Sequence, residues 1–331
     1  MLNIILGFFG GVIALAAALL GIYCIALITA PKAKPYTGPK PPNPYIVGNG
    51  RLLISAHRSG AGLSPEDTLM AFQECVRLCD KFTVDVFEFD LHMTADGRLI
   101  LLHDDTLDRT SDSEKVFGKQ GVAAREKTYD ELRLLNFGAN FEDPDRPGEY
   151  PYRDLDPVPD NLKALAVEDL LDYLEAEGKG AFRYVIDIKN GGEDGKRGVD
   201  MLVEILRERG LLERTIFGTF HNEVTQYVDE RHPELPRSAG KNETIFFFLR
   251  SLVNLPQRKD IKYIALQVPD RLYKYIILDT KRFVRYCHKY NLSVQYWTVN
   301  EAAQVRKLID YGADLIFSDY PDMVHEVVSG Q

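Results

Sequence analysis

Nine short apolar runs recur along the chain, at 52–57, 84–92, 99–103, 183–188, 215–220, 235–239, 262–267, 292–298 and 314–317. Helix-like segments at 66–80, 166–177, 198–209, 280–290 and 301–311 lie between them. Strands that alternate with helices build a parallel sheet, because each helix carries the chain back across it. The roughly 280 residues involved suit one (β/α)8 barrel, the α/β TIM architecture. Nine candidates for eight places leave one run outside the ring. In the first helical segment Leu69, Phe72, Val76 and Cys79 form an apolar stripe. Ser64 precedes Pro65 at the expected first helical position, with Glu66 and Asp67 in the first turn. A carboxylate there is favoured by the helix dipole, which gives Glu66 an ordinary structural reason.

The polar residues within these runs are less ordinary. In 82–94, period-two alternation puts Val84, Val86, Glu88, Asp90 and His92 on one face and Phe87, Phe89, Leu91 and Met93 on the other. An isolated E-x-D usually marks a solvated strand face. Here a four-residue turn, ADGR, leads straight into LILLHD (99–104), which ends in His103 and Asp104. His57 and Arg58 close the first run, and in 182–190 Arg183, Val185, Asp187 and Lys189 share a face. Two histidines supply an acid and a base near neutral pH. Carboxylates suit a hard divalent cation, and buried charge is costly unless paired or bound to metal. The set suits metal-assisted attack on a phosphodiester. Most of these residues fall at strand C-termini, where such barrels build their sites.

The motifs HRS (57–59), PEDT (65–68), EFD (88–90), HDDTLDRT (103–110), DIK (187–189), YWTVN (296–300) and SDYP (318–321) follow in one order. Across roughly residues 52–325 the chain resembles the glycerophosphodiester phosphodiesterase family. It departs from the family pattern at Ser59 for Gly, at PEDT for PENT, and at Asp187 for Glu. The resemblance implies a TIM barrel with an insertion around 105–165, forming part of the substrate entrance. It implies one Mg2+ or Ca2+ held by Glu88, Asp90 and Asp187. His57 and His103 are the expected acid–base pair, and Arg58 and Lys189 contact the phosphate. Glu66 stands behind them. Trp297 is either a substrate wall or barrel packing, and Asp319 either a site residue or a turn residue before Pro321. The expected reaction converts a glycerophosphodiester to glycerol 3-phosphate and an alcohol.

Three other readings compete. One is lysophospholipase D-type release of a head group, favoured by a membrane anchor at the N-terminus and by TIFFFLRSLVNL (244–255), although that run reads more readily as a core helix or strand. Another is an inactive barrel that binds lipids or diesters. A third is a two-histidine phospholipase C of the phosphatidylinositol type, which would not need the carboxylate trio.

The first 31 residues contain no charged side chain, and Leu2–Ala30 is long enough to cross a bilayer core of about 30 Å. There is no basic n-region, so 1–30 reads as an uncleaved transmembrane anchor followed by a Pro/Gly-rich tether at 31–50 and the barrel at 51–331. Lys32, Lys34, Lys40, Arg51 and Arg58 precede any acid, which predicts a single-pass membrane protein with a cytoplasmic catalytic domain. A formal charge of −9 excludes a nucleic-acid partner that needs a concentrated positive surface. Cys24, Cys75, Cys79 and Cys287 have no zinc or disulfide spacing and read as reduced thiols. No protein partner is implied.

Overall fold

A computed structural model describes residues 18, 20–21, 42–48, 50–178, 182–257, 261–272 and 276–330. Nearly all of the expected anchor and most of the tether lie outside the described residues. Among the described residues no helix is long and apolar enough to cross a membrane.

The strands are β1 (Leu53–Ala56), β2 (Val86–Met93), β3 (Leu99–Leu101), β4 (Arg183–Ile188), β5 (Thr215–Gly218), β6 (Ala265–Val268), β7 (Arg271–Leu272), β8 (Ile276–Ile277), β9 (Ser293–Tyr296) and β10 (Leu315–Ser318). Seven of them pair in parallel in the order β5-β4-β2-β1-β10-β9-β6. Residues 236–239 fill the eighth place through single parallel bridges, Phe217 to Arg237 and Ser238 to Ala265. The expected run 235–239 is thus present, but only as bridges. The surplus candidate is 99–103: β3 pairs antiparallel with β2. His103 therefore follows a hairpin strand and not a strand of the ring.

The helices are α1 (Leu69–Leu78), α2 (Ser113–Phe117), α3 (Tyr129–Leu132), α4 (Val167–Gly178), α5 (Gly192–Glu208), α6 (Asn222–Arg231), α7 (Lys241–Leu252), α8 (Lys281–Lys289), α9 (Ala302–Tyr311) and α10 (Pro321–Ser329). Helix α1 starts at Leu69, not at 66. Asp67 has φ +57°, which breaks the helical path, and Thr68 caps the helix by accepting from the Ala71 N–H. Glu66 thus lies before the helix, and its position needs another cause.

Alternation along β2 sorts the core. Phe87, Phe89, Leu91 and Met93 pack outward against α1, α4 and α5. Val86 points inward with Val185, Ile216, Ala265, Leu315 and Phe317, and Tyr45 plugs this inner layer. The Tyr45 hydroxyl donates to Arg214 O, and Asn43 Nδ2 donates to Ile264 O and Asn291 O. Part of the stretch read as tether therefore packs against the N-terminal ends of the strands. The insertion has its own small core, Leu107, Val122, Leu132, Leu135 and Phe137 against Ile100 and Leu102. Arg237, 2% exposed, grips Asp229 of α6 and Glu243 of α7, each through two nitrogens, and ties 236–239 to both helices.

Candidate active site

Above the apolar layer the inward positions turn polar. Glu88 and Asp90 continue the face of Val86, and Asp187 of β4 stands in register beside Asp90. Lys189 Nζ lies 2.7 Å from both Asp90 Oδ1 and Asp187 Oδ2. That clamp leaves Asp90 Oδ2 and Asp187 Oδ1 buried without a hydrogen-bond partner. Burial, then the charge of Asp90, pushes the Glu88 carboxyl up to about 7, against the pull of His57. Burial also raises Asp187, opposed by Lys189. Burial pulls the Lys189 ammonium down, but Asp187 and Asp90 outweigh it and hold the proton more tightly than usual.

Each histidine has its own carboxylate. His57, in the 3-10 turn His57–Ser59 after β1, places Nδ1 2.6 Å from Asp319 Oδ1 and Nε2 3.9 Å from Glu88 Oε2. Burial pulls its pKa down, but Glu88 and the Asp319 hydrogen bond bring it above the ordinary value. His103 places Nδ1 2.7 Å from Asp104 Oδ1. A carboxylate on Nδ1 keeps that nitrogen protonated and leaves Nε2 to exchange protons. Arg58 takes a left-handed turn, φ +47°, donates its backbone N–H to Glu88 Oε2 at 2.9 Å, and extends its side chain to Glu66 at 3.2 Å.

The structure brings His57, Arg58, Glu88, Asp90, His103, Asp187, Lys189 and Trp297 onto one cavity of about 560 Å3. Glu66 lies behind that wall. Its carboxylate accepts from Arg58 and, through both oxygens, from Arg109 at 2.6 and 2.7 Å, and it faces a second cavity. This pairing explains Glu66 where a helix terminus does not. Arg109 also holds Asp104, the partner of His103. Asp104 stood out in the sequence beside His103, but Arg109, further along the HDDTLDRT motif, was not distinguishable from loop charge. Asp319 reads in the sequence as either a site residue or a turn residue. The structure puts it on His57, with Asn300 Nδ2 donating to its other oxygen at 2.7 Å. His92 is buried beside Asp90 with Nε2 unpartnered, while His221 Nε2 sits 2.9 Å from Lys189 O. Asp67, where the family has Asn, is buried with both oxygens unpartnered. Burial first, then Asp90 and Glu66, hold its carboxyl well above the ordinary range.

Among the described residues no three His, Cys, Asp or Glu side chains already converge as an ion cage. The donor chemistry nonetheless fits a hard cation: three carboxylates, two of them on neighbouring strands with buried oxygens that make no hydrogen bond, Asp187 Oδ1 and Asp90 Oδ2, the latter 3.5 Å from Arg58 Nε.

With two histidines, three carboxylates, Arg58 and Lys189 on one cavity of the barrel, the chain belongs with the hydrolases of phosphoric diesters. More narrowly, the chain belongs to the glycerophosphoryl diester phosphodiesterase family, whose sequence pattern matches residues 57–323. It is 28% identical over 292 residues to a glycerophosphodiester phosphodiesterase of Bacillus subtilis (strain 168), covering 86% of this chain and 89% of that one. The fold is similar to a glycerophosphodiester phosphodiesterase from Agrobacterium tumefaciens str. C58, with TM-score 0.59 and 19% identity over 83% of this chain and 99% of that one. It is also similar to a phosphodiesterase from Oleispira antarctica solved in complex with the product sn-glycerol-3-phosphate. There the TM-score is 0.62 and the identity 18%, over 84% of this chain and 97% of that one.

Proposed function

We propose that the chain hydrolyses glycerophosphodiesters to sn-glycerol 3-phosphate and an alcohol, by two-histidine acid–base catalysis with one divalent cation. The observation that carries this reading is the pair of imidazoles on one cavity, each supported at Nδ1 by a different carboxylate. A binding module needs neither proton donor nor proton acceptor. One imidazole takes a proton from the attacking water as its oxygen bonds to phosphorus, the P–O bond to the departing alcohol breaks, and the other imidazole protonates the departing oxygen. If the glycerol 2-hydroxyl attacks first, water opens the resulting cyclic phosphate in a second step of the same kind. Arg58 and Lys189 orient the phosphate and balance the charge that develops on its oxygens. Glu88, Asp90 and Asp187 would hold Mg2+ or Ca2+, which supplies further positive charge against the phosphoryl oxygens.

The test is alcohol release from glycerophosphocholine by the full chain, with Mg2+, with Ca2+ and with chelator. Chelator-sensitive release that is lost in both His57→Ala and His103→Ala is expected. Near-full turnover in either variant removes that histidine from the mechanism, and metal-independent turnover favours the phospholipase C-type reading. The uncharged run Leu2–Ala30 and its lysine flank support a single-pass anchor with a cytoplasmic barrel. Release of the full chain from membranes by alkaline carbonate would contradict that anchor.

A further inference from the structure

The two histidines of the cavity are held unequally. Asp319, behind His57, follows ring strand β10 and is fixed by Asn300, whose Nδ2 donates to Asp319 Oδ2 at 2.7 Å and whose Oδ1 accepts from the Asp319 N–H at 3.0 Å. Asp104, behind His103, lies on the loop beyond the hairpin strand β3. The His103 side chain is 34% exposed against 13% for His57, so packing alone does not place it. Among the described residues, the Asp104 carboxylate takes its hydrogen bonds from His103 and Arg109.

Arg109 belongs to the insertion, and two edges of its guanidinium are in use. Nε and Nη2 donate to Asp104 at 2.6 and 3.0 Å, while Nη1 and Nη2 donate to Glu66 at 2.7 and 2.6 Å. Glu66 Oε1 also accepts from Arg58 Nη1 at 3.2 Å. A continuous series of charged hydrogen bonds therefore runs from His103 through Asp104, Arg109 and Glu66 to Arg58. Both of its ends line the same cavity, one able to move a proton and the other able to bind phosphate. A planar fork holds two carboxylates at a fixed spacing, which an ammonium on a flexible stem does not.

Resting on the hydrolase reading above, we propose that Arg109 is a positioning residue for both halves of the reaction, fixing His103 through Asp104 and Arg58 through Glu66. It sets the distance between the imidazole that exchanges a proton and the guanidinium that orients the phosphate. The ring strands cannot set that distance, because His103 is not carried by one of them.

The experiment measures kcat and KM of the full chain for glycerophosphocholine, with folding followed by melting. Displacing a reacting group by ~1 Å costs about 10²-fold, so Arg109→Ala should lower kcat on that scale and raise KM through Arg58. Arg109→Lys keeps the charge without the fork and should recover little. Arg125→Ala, which removes an exposed arginine of the same insertion, should match the wild type. Two double-mutant cycles separate the branches. In an Asp104→Ala background, Arg109→Ala should no longer lower kcat; in a Glu66→Ala background it should no longer raise KM. Arg109 also lines the second cavity, of about 420 Å3, and its side chain is 47% exposed, so a small cation can reach its place from solvent. Ethylguanidinium, against sodium chloride of equal ionic strength, should restore part of the kcat of Arg109→Ala and none in Asp104→Ala.

Unchanged kcat and KM in Arg109→Ala, or wild-type turnover in Arg109→Lys, overturns the proposal. Losses that persist undiminished in both alanine backgrounds and ignore ethylguanidinium also overturn it, because Arg109 would then act only on the fold. Should Arg109→Ala fail to fold, Arg109→Lys carries the same two cycles. No turnover of glycerophosphocholine by the wild type removes the hydrolase reading and this proposal together, whereas the outcomes above leave that reading intact.

Discussion

At the scale of single residues, the partners of the histidines decide what the site can do. Asp319 neutralises part of the charge on protonated His57 and fixes its ring. Together with Glu88 it lifts the His57 pKa against the opposing effect of burial. Asp319→Asn keeps the shape and removes the charge, so the His57 inflection in a pH profile of kcat/KM should move to lower pH. The accompanying loss of rate is bounded by the roughly 10²–10⁴ that one acid–base group contributes. An inflection that stays in place while the rate falls would show Asp319 acting by some other route. Asp104 makes a second prediction. Burial pushes its carboxyl up, but hydrogen bonds from Arg109 and His103 prevail and hold it at about 2. A depressed carboxyl stabilises the fold fully above its unfolded value near 3.8 and loses that contribution as pH falls toward 2. Asp104→Asn should therefore melt lower than wild type at neutral pH, and the gap should close between pH ~4 and ~2. A gap that persists at the acid end would mean the asparagine disturbs packing and not charge.

At the scale of elements, the legible parts are those governed by local pattern. The inward carboxylates of β2 follow from strict alternation, and their neighbour Asp187 follows from the same rule applied to β4. The antiparallel course of β3 was also readable. Four residues suffice for a hairpin, while a parallel return needs a dozen or more. That length marks 99–103 as the run outside the ring and leaves the eighth place to 235–239. The bridged segment 236–239 was readable as a strand, but not the burial of its Arg237, which only the paired Asp229 and Glu243 make tolerable. The start of α1 was misplaced because Pro65 and two acids imitate a first turn, while the left-handed Asp67 leaves no mark in the sequence. Asp319 and Arg109 reach their partners across 262 and 43 positions, beyond any local pattern. Helix α5 carries a prediction that runs against propensity. Alanine normally stabilises a helix interior over glycine by about 0.5–1 kcal/mol. A Cβ on Gly195 would sit 2.3 Å from Asn190 O and 2.8 Å from Val224 Cγ2. Overpacking of that kind costs about 1–3 kcal/mol, so Gly195→Ala should lower the melting temperature. It should also depress turnover, since Asn190 Oδ1 accepts from Met93 N at the end of β2. A variant melting higher than wild type would refute the close approach.

At the scale of the molecule, the barrel concentrates its instability where its chemistry lies. Below the site the interior is apolar and plugged by Tyr45; at the site the carboxyls of buried Glu88 and partly buried Asp187 are raised above their ordinary values. A raised carboxyl favours the folded state below its unfolded pKa, and that advantage is lost as pH climbs through the folded value. For Glu88 the window runs from 4.5 to about 7. In chelator above pH ~7, Glu88→Gln should therefore melt higher than wild type, with the difference shrinking as pH falls toward ~4.5. Added Mg2+ or Ca2+ should reverse the order. A ligand at 100 times its Kd stabilises a folded chain by about 2.7 kcal/mol, and only the chain with its full set of carboxylates gains that. Stability in chelator and stabilisation by the cation thus trade against each other through the same side chain, a test that needs no substrate. Equal cation-induced shifts in wild type and Glu88→Gln would place the ion away from Glu88. A lower melting temperature of the variant in chelator would show that ionised Glu88 is already compensated by Arg58 and His57.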